Sequence, residues 1–184
     1  MKTLADCSLS LFYALYKFTY IQEVAMKLYM KQKVFSWKSK FYIKDVSGAD
    51  RYYVEGELFS WGHKLHVFDN NGQEVAFVKQ RLMTWMPRYE VYLNGVLSVE
   101  VKKEWSFFKP RYTIIGTDWT VNGDFWDHNY AVMSGESQIA GVSKAWFTWG
   151  DSYEIDINSD INEVLVLATV LAIDCVLAQQ SSSR

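Results

Sequence analysis

The segment "DSYEIDINSDINE" gathers Asp151, Glu154, Asp156, Asn158, Asp160, Asn162 and Glu163, a density of oxygen groups that suits calcium. Read as an EF-hand loop, Asp156, Asn158, Asp160 and Asn162 fall on alternate ligand positions. Ile161 then stands where the loop needs glycine, and Leu167 where it needs a bidentate glutamate. Asp156, Asn158 and Asp160 are thus calcium candidates that lack the loop's two most demanding groups, and no metal is assigned. The same acids suit helix initiation, with Asp160 as N-cap and Glu163 three residues on completing a capping box. The three histidines offer little more. His63 and His66 have metal-like spacing without a carboxylate nearby in sequence, and "DFWDH" (Asp124 to His128) reads as an exposed polar turn. No nucleophile elbow, phosphate-binding loop or zinc-protease motif is present, so the expectation is a protein that is not an enzyme and carries no cofactor.

Binding chemistry is better represented. "VKKEWSFFKPRY" sets Lys102, Lys103, Lys109 and Arg111 around Trp105, Phe107 and Phe108. Cations attract lipid headgroups while aromatic rings enter the interface, so this stretch suits an anionic membrane surface. Lys38, Lys40 and Lys44 alternate and could share one face of another strand. Basic and aromatic strands also hold single-stranded nucleic acid, but the net charge of −2 gives no global argument for it, and no nucleic acid is expected. The plainer alternative is a solvated barrel wall whose aromatics point inward.

These residues must be carried by β structure. Between Met26 and Ile157, short segments such as "RYYVEGEL", "KLHVFD", "EVAFVKQRL" and "SYEIDI" alternate apolar with polar and are rich in β-branched and aromatic residues. Ser47-Gly48, Asn71-Gly72, Asn94-Gly95 and Asn122-Gly123 separate them as turn signals, which predicts a mainly antiparallel meander. Charge is unevenly distributed: up to Arg111 the cations prevail, and from Tyr112 only Lys144 and Arg184 oppose ten acids. That predicts either a basic binding face or basic and acidic strands lying side by side. Cys7 and Cys175 form no disulfide framework, which suits a reduced, cytoplasmic protein. Asp6 and Ser8 interrupt the apolar character near the N-terminus, so residues 1–25 read as an extension with helical potential rather than a secretion signal.

"INEVLVLATVLAIDCVLAQQ" decides the architecture. From Val164 to Ile173 only Thr169 is polar, so a helix there is apolar on every face and must be surrounded. This run is far short of the ~20 residues that span a bilayer, and Asp174 interrupts its continuation. A barrel wide enough to hold a central helix needs about eleven strands, and about twelve are available. A helix of about 18 residues is about 27 Å long, close to the span of strands of eight or nine residues. The expected fold is therefore mainly β, a closed antiparallel barrel of about 12 strands around a central hydrophobic C-terminal α-helix at about 160–179. The barrel domain covers 26–180, and 181–184 is a tail. Asp174 is expected near the far mouth, met by solvent or a basic partner.

The stretch from Met30 to Gln80, with its "KLHVFDNNGQEVAFVKQ" hairpin, and the final helix with its "AID" triplet resemble the bacterial LURP-one-related family. The resemblance runs from about Met26 to Gln180. It implies a fold similar to the Tubby C-terminal domain and the phospholipid scramblases, a twelve-stranded barrel around a hydrophobic helix. By analogy with Tubby domains it also implies headgroup binding, but it matches none of their ligands residue by residue; the residues expected to bind are those of the basic-aromatic stretches, Lys102, Lys103, Lys109, Arg111, Lys38 and Lys40. The implied protein is cytoplasmic and peripheral at the membrane. The alternative is a scramblase-like protein anchored by its C-terminal segment.

Overall fold

The computed structural model describes residues 26–31, 40–57, 61–106, 111–125, 127–145, 152–158 and 160–181. Twelve strands follow in order among them: β1 (Met26–Lys31), β2 (Phe41–Lys44), β3 (Asp50–Gly56), β4 (Lys64–Asp69), β5 (Glu74–Gln80) and β6 (Arg88–Leu93). The second half comprises β7 (Val96–Glu104), β8 (Arg111–Ile115), β9 (Trp119–Asp124), β10 (Asn129–Ser134), β11 (Ser137–Lys144) and β12 (Ser152–Ile157). Helix α1 (Glu163–Ser181) completes the fold. Each strand pairs antiparallel with its sequence neighbours, and β1 pairs with β12, so the meander closes into a barrel. Among the described residues every strand has a neighbour on both sides, although β1–β2 and β8–β9 are joined by a single residue pair each.

Alternation in the sequence becomes alternation across the barrel wall. Leu65, Val78, Val91 and Val99 lie opposite one another on β4 to β7 and form one inward layer. Leu28, Ile155, Val142 and Tyr130 form another on β1, β12, β11 and β10. Every side chain of α1 from Val166 to Leu177 is buried inside this wall. Thr169 is tolerated there because its hydroxyl donates to the Leu165 carbonyl at 2.7 Å. No described helix is long and apolar enough to cross a membrane.

Three of the four glycine turn signals form turns. Asn94 and Gly95 have φ of 48° and 79°, the left-handed pair that a two-residue type I′ hairpin requires. Asn122-Gly123 is the exception, because both residues lie inside β9. Gly123 has φ of 139°, and a Cβ placed there would lie 2.5 Å from the Asn129 carbonyl and from Tyr130 Cα. Glycine serves close strand approach at this position rather than a reversal.

The start of α1 also differs from expectation. Asn162, not Asp160, is the cap: its Oδ1 accepts the Leu165 N–H at 3.0 Å. Glu163 is 8% exposed and makes no capping box. It receives Arg51 of β3 through Nε and Nη2 at 2.7 and 2.8 Å. This bidentate pair fastens the helix entrance to the wall. Elsewhere basic and acidic strands do lie side by side, with Lys27 of β1 reaching Glu154 and Asp156 of β12 at 3.3 and 3.7 Å.

Candidate functional site

An up-and-down barrel puts its odd-to-even connections at one end and its even-to-odd connections at the other. The even-to-odd connections are short turns, and the charged residues they contain are Asp45, Asp118 and Glu136, joined at the same end by Asp160 before α1. The opposite end is built differently. Its described connections expose Trp61 (89%), Met83 (106%), Trp85 (95%) and Trp105 (65%), with Leu82 half exposed. Trp61 follows β3, Leu82 to Trp85 follow β5, and Trp105 follows β7, so three neighbouring hairpins present apolar side chains at one mouth.

Backbone bonds hold these connections in place. The Gln80 N–H donates to the His63 carbonyl at 2.8 Å, and the His63 N–H donates to Gln80 Oε1 at 3.0 Å. The Arg81 N–H reaches the Arg88 carbonyl at 2.9 Å, and the Lys103 N–H reaches the Pro87 carbonyl at 3.0 Å. Gly62 has φ of 82°, a left-handed conformation that favours glycine, and a Cβ there would lie 2.9 Å from Leu82 Cδ2, so the first two connections approach each other closely at this point.

Cations surround this apolar group. Arg81 and Arg88 both reach Glu100, at 3.1 and 3.2 Å, and Lys102 reaches Glu104 at 3.1 Å. The Lys102 ammonium, followed by the Thr113 hydroxyl, holds the Glu104 carboxyl below its usual range. Lys103 lies on the inward row of β7 with the buried Val99 and Val101, and Arg111 is exposed at the start of β8. On and beside the mouth-side halves of β5 to β8, six cations (Lys79, Arg81, Arg88, Lys102, Lys103 and Arg111) outnumber three carboxylates (Glu90, Glu100 and Glu104), a positive surplus at the mouth.

Lys40 is at the same mouth but across it, beside β2. It pairs with Glu55 at 3.0 Å and stands 3.7 Å over the Tyr53 ring. Lys44 pairs with Asp50 at 2.6 Å. Lys38, Lys109, Phe107 and Phe108 lie outside the described residues. The described members of the two groups, Lys40 on one side and Lys102, Lys103 and Arg111 on the other, therefore share a barrel end rather than a face of the wall. The exposed Trp61, Leu82, Met83 and Trp85 were not singled out from sequence, although the meander itself assigns alternate connections to one end.

The calcium candidates do not converge. Asp156 faces outward on β12 beside Lys27, and Asn158 Oδ1 accepts the Asp160 N–H at 3.1 Å. No group of three or more His, Cys, Asp or Glu among the described residues is arranged to hold a metal. His63 Nδ1 is 2.9 Å from the Tyr89 hydroxyl, while His66 lies between Glu74 (2.5 Å) and Glu57 (3.1 Å). The two histidines thus have separate partners.

Asp174 departs most from expectation. It has no exposed surface, and the Tyr153 hydroxyl donates to its Oδ2. His128 Nε2 is 3.8 Å from Oδ1, its ring stacked on Tyr153 at 5.0 Å between centroids. Burial pushes Asp174 up to about 7, although the Tyr153 bond pulls the other way. Burial also lowers His128 and raises Tyr153, Tyr130 and Cys175, so the group favours its neutral forms together. Neither solvent nor a basic partner at the mouth satisfies Asp174. Tyr153 on the facing strand reaches Oδ2, while Oδ1 is buried without a hydrogen-bond partner among the described residues.

Comparison with known proteins now places the chain. The family model described as LURP-one-related matches residues 26–174. The chain belongs to the LURP-one-related family. It is 37% identical over 152 residues to the uncharacterized protein YxjI of Bacillus subtilis (strain 168), a match covering 83% of this chain and 94% of that one. The X-ray structure of an Arabidopsis thaliana protein superposes with a TM-score of 0.60 at 20% identity, covering 82% of this chain and 90% of the other. That likeness is one of fold. The barrel with its enclosed helix is the shared framework of this LURP-one-related protein, and the mouth side chains are what it displays.

Proposed function

We propose that this LURP-one-related protein works by binding rather than catalysis, holding anionic phospholipid headgroups at the long-connection mouth of its barrel. The observation that carries the reading is the surplus of cations, Arg81, Arg88, Lys102, Lys103 and Arg111, set directly behind exposed tryptophans at one end. Positive charge attracts the phosphate surface, and indole rings favour the headgroup level. The acidic opposite end supports the same orientation, since an anionic membrane repels it. The protein then sits at the membrane as a peripheral component, and α1 serves as the core of the barrel rather than as an anchor.

Flotation with vesicles of phosphatidylcholine, with and without phosphatidylserine or phosphoinositide, tests this. The wild type should float with the anionic vesicles, more weakly as salt is raised. Lys102→Glu/Lys103→Glu should lower binding by about ten-fold. Equal flotation of variant and wild type, or flotation of neither, overturns the reading.

A further inference from the structure

We propose that Trp61 and the connection from Leu82 to Trp85 form a wedge that enters the headgroup–acyl boundary of a bilayer and stands the barrel end-on to it. This rests on the membrane reading above but assigns a part that headgroup binding does not require. Residues Leu82 to Pro87 contain no ionisable side chain, nor do Trp61 and Gly62. Arg81 and Arg88 bracket the longer connection on both sides. Behind Trp61 the charge is balanced, with Glu57 paired to Lys64 at 2.7 Å, so an uncharged tip with a net cationic collar matches the layering of an anionic membrane, apolar beyond phosphate.

The wedge is built rather than incidental. Met83 has φ of 57°, a left-handed conformation that a methionine rarely adopts, and it leaves the side chain fully exposed. The Thr84 hydroxyl holds the turn through the Met86 carbonyl at 2.8 Å and the Arg81 carbonyl at 3.3 Å. The close approach of Gly62 to Leu82 joins Trp61 to the same body. Two nearly fully exposed indoles and a fully exposed thioether at one tip pack very little against the described residues. Indole suits the interface because its ring is apolar while its N–H can bond to headgroup oxygens.

The test places an environment-sensitive fluorophore on Met83→Cys in a Cys7→Ser background, Cys175 being buried. A matched label on Val46→Cys, exposed at the opposite end, is the control. With vesicles of phosphatidylserine and phosphatidylcholine, the Met83 label should shift to the blue and be quenched by acyl-chain nitroxide lipids, and the Val46 label should not. Trp61→Ser/Trp85→Ser should weaken flotation by about ten-fold while leaving the melting temperature unchanged. Wild-type flotation with an unshifted Met83 label, or with undiminished binding by the tryptophan variant, overturns the wedge and leaves headgroup binding intact. A wild type that floats on no vesicle overturns both. Equal shifts at Met83 and Val46 overturn the end-on orientation.

Discussion

Asp174→Asn should stabilise this protein at neutral and alkaline pH, although it alters a buried residue of the central helix. The carboxyl has an ordinary value of 3.8 in the unfolded chain and about 7 in the fold. Between those values the folded state holds a proton that the unfolded state has released, so stability falls as pH rises. At about 1.4 kcal/mol per pH unit the loss reaches about 4 kcal/mol by pH 7 and then stops growing. That is a large part of the about 5–15 kcal/mol that holds a domain together. Other groups around Asp174 titrate in different windows. His128 and His63 are lowered, so each removes stability as pH falls below 6.5, opposite in sign to Asp174. Tyr153, Tyr130 and Cys175 are raised and act only under alkaline conditions. Asparagine keeps an acceptor for Tyr153 and never ionises, so the difference between variant and wild type isolates the carboxylate. Urea unfolding from pH 4.5 to 8 should give curves that diverge up to pH 7 and run parallel above it. Parallel curves throughout, or a variant less stable at pH 8, would refute the assignment of Asp174 as the neutral buried acid.

Other expectations concern the frame. Arg51→Ala strips the nearly buried Glu163 of both its guanidinium bonds and should cost about 2 kcal/mol in chemical denaturation, with Glu163→Gln in the same background recovering part of the loss. Gly123→Ala drives a methyl into the Asn129 carbonyl from a φ of 139°, and should destabilise by about 2 kcal/mol or prevent folding. Gly48→Ala, with nothing near its Cβ position, should cost less in the same thermal melt. In Cys7→Ser protein, Cys175 is fully buried and its thiol raised, so reaction with a disulfide reagent should proceed no faster than global unfolding. Fast modification under native conditions would mean that α1 leaves the barrel readily.

The sequence by itself determined the class of fold, because the two signals involved are local. Period-two alternation from "RYYVEGEL" to "SYEIDI" describes a wall with one wet face, and the all-round apolarity of Val164 to Ile173 describes a helix that must be enclosed. Together they leave a barrel threaded by its last element, and the two halves of the argument constrain each other. Asn94-Gly95 was legible for the same reason, since its φ values are a property of two residues. Tertiary structure decided the rest. Asn122-Gly123 looks like a turn in isolation, yet the close approach of Tyr130 to the neighbouring strand position places it inside β9. Asp160 and Asn162 are both competent caps, and the Arg51 hold on Glu163 belongs to the geometry in which Asn162 does the capping. Asp174 has Tyr153 as its partner only because the helix returns through the barrel past β12. The mouth follows the same logic. Trp61, Trp85 and Trp105 are far apart in the chain, and each alone is an unremarkable loop residue. Antiparallel closure puts alternate connections at the same end, so residues that share no local signal come to share a surface. Backbone preference acts across a few residues, whereas burial, charge pairing and the composition of a surface depend on which strands become neighbours.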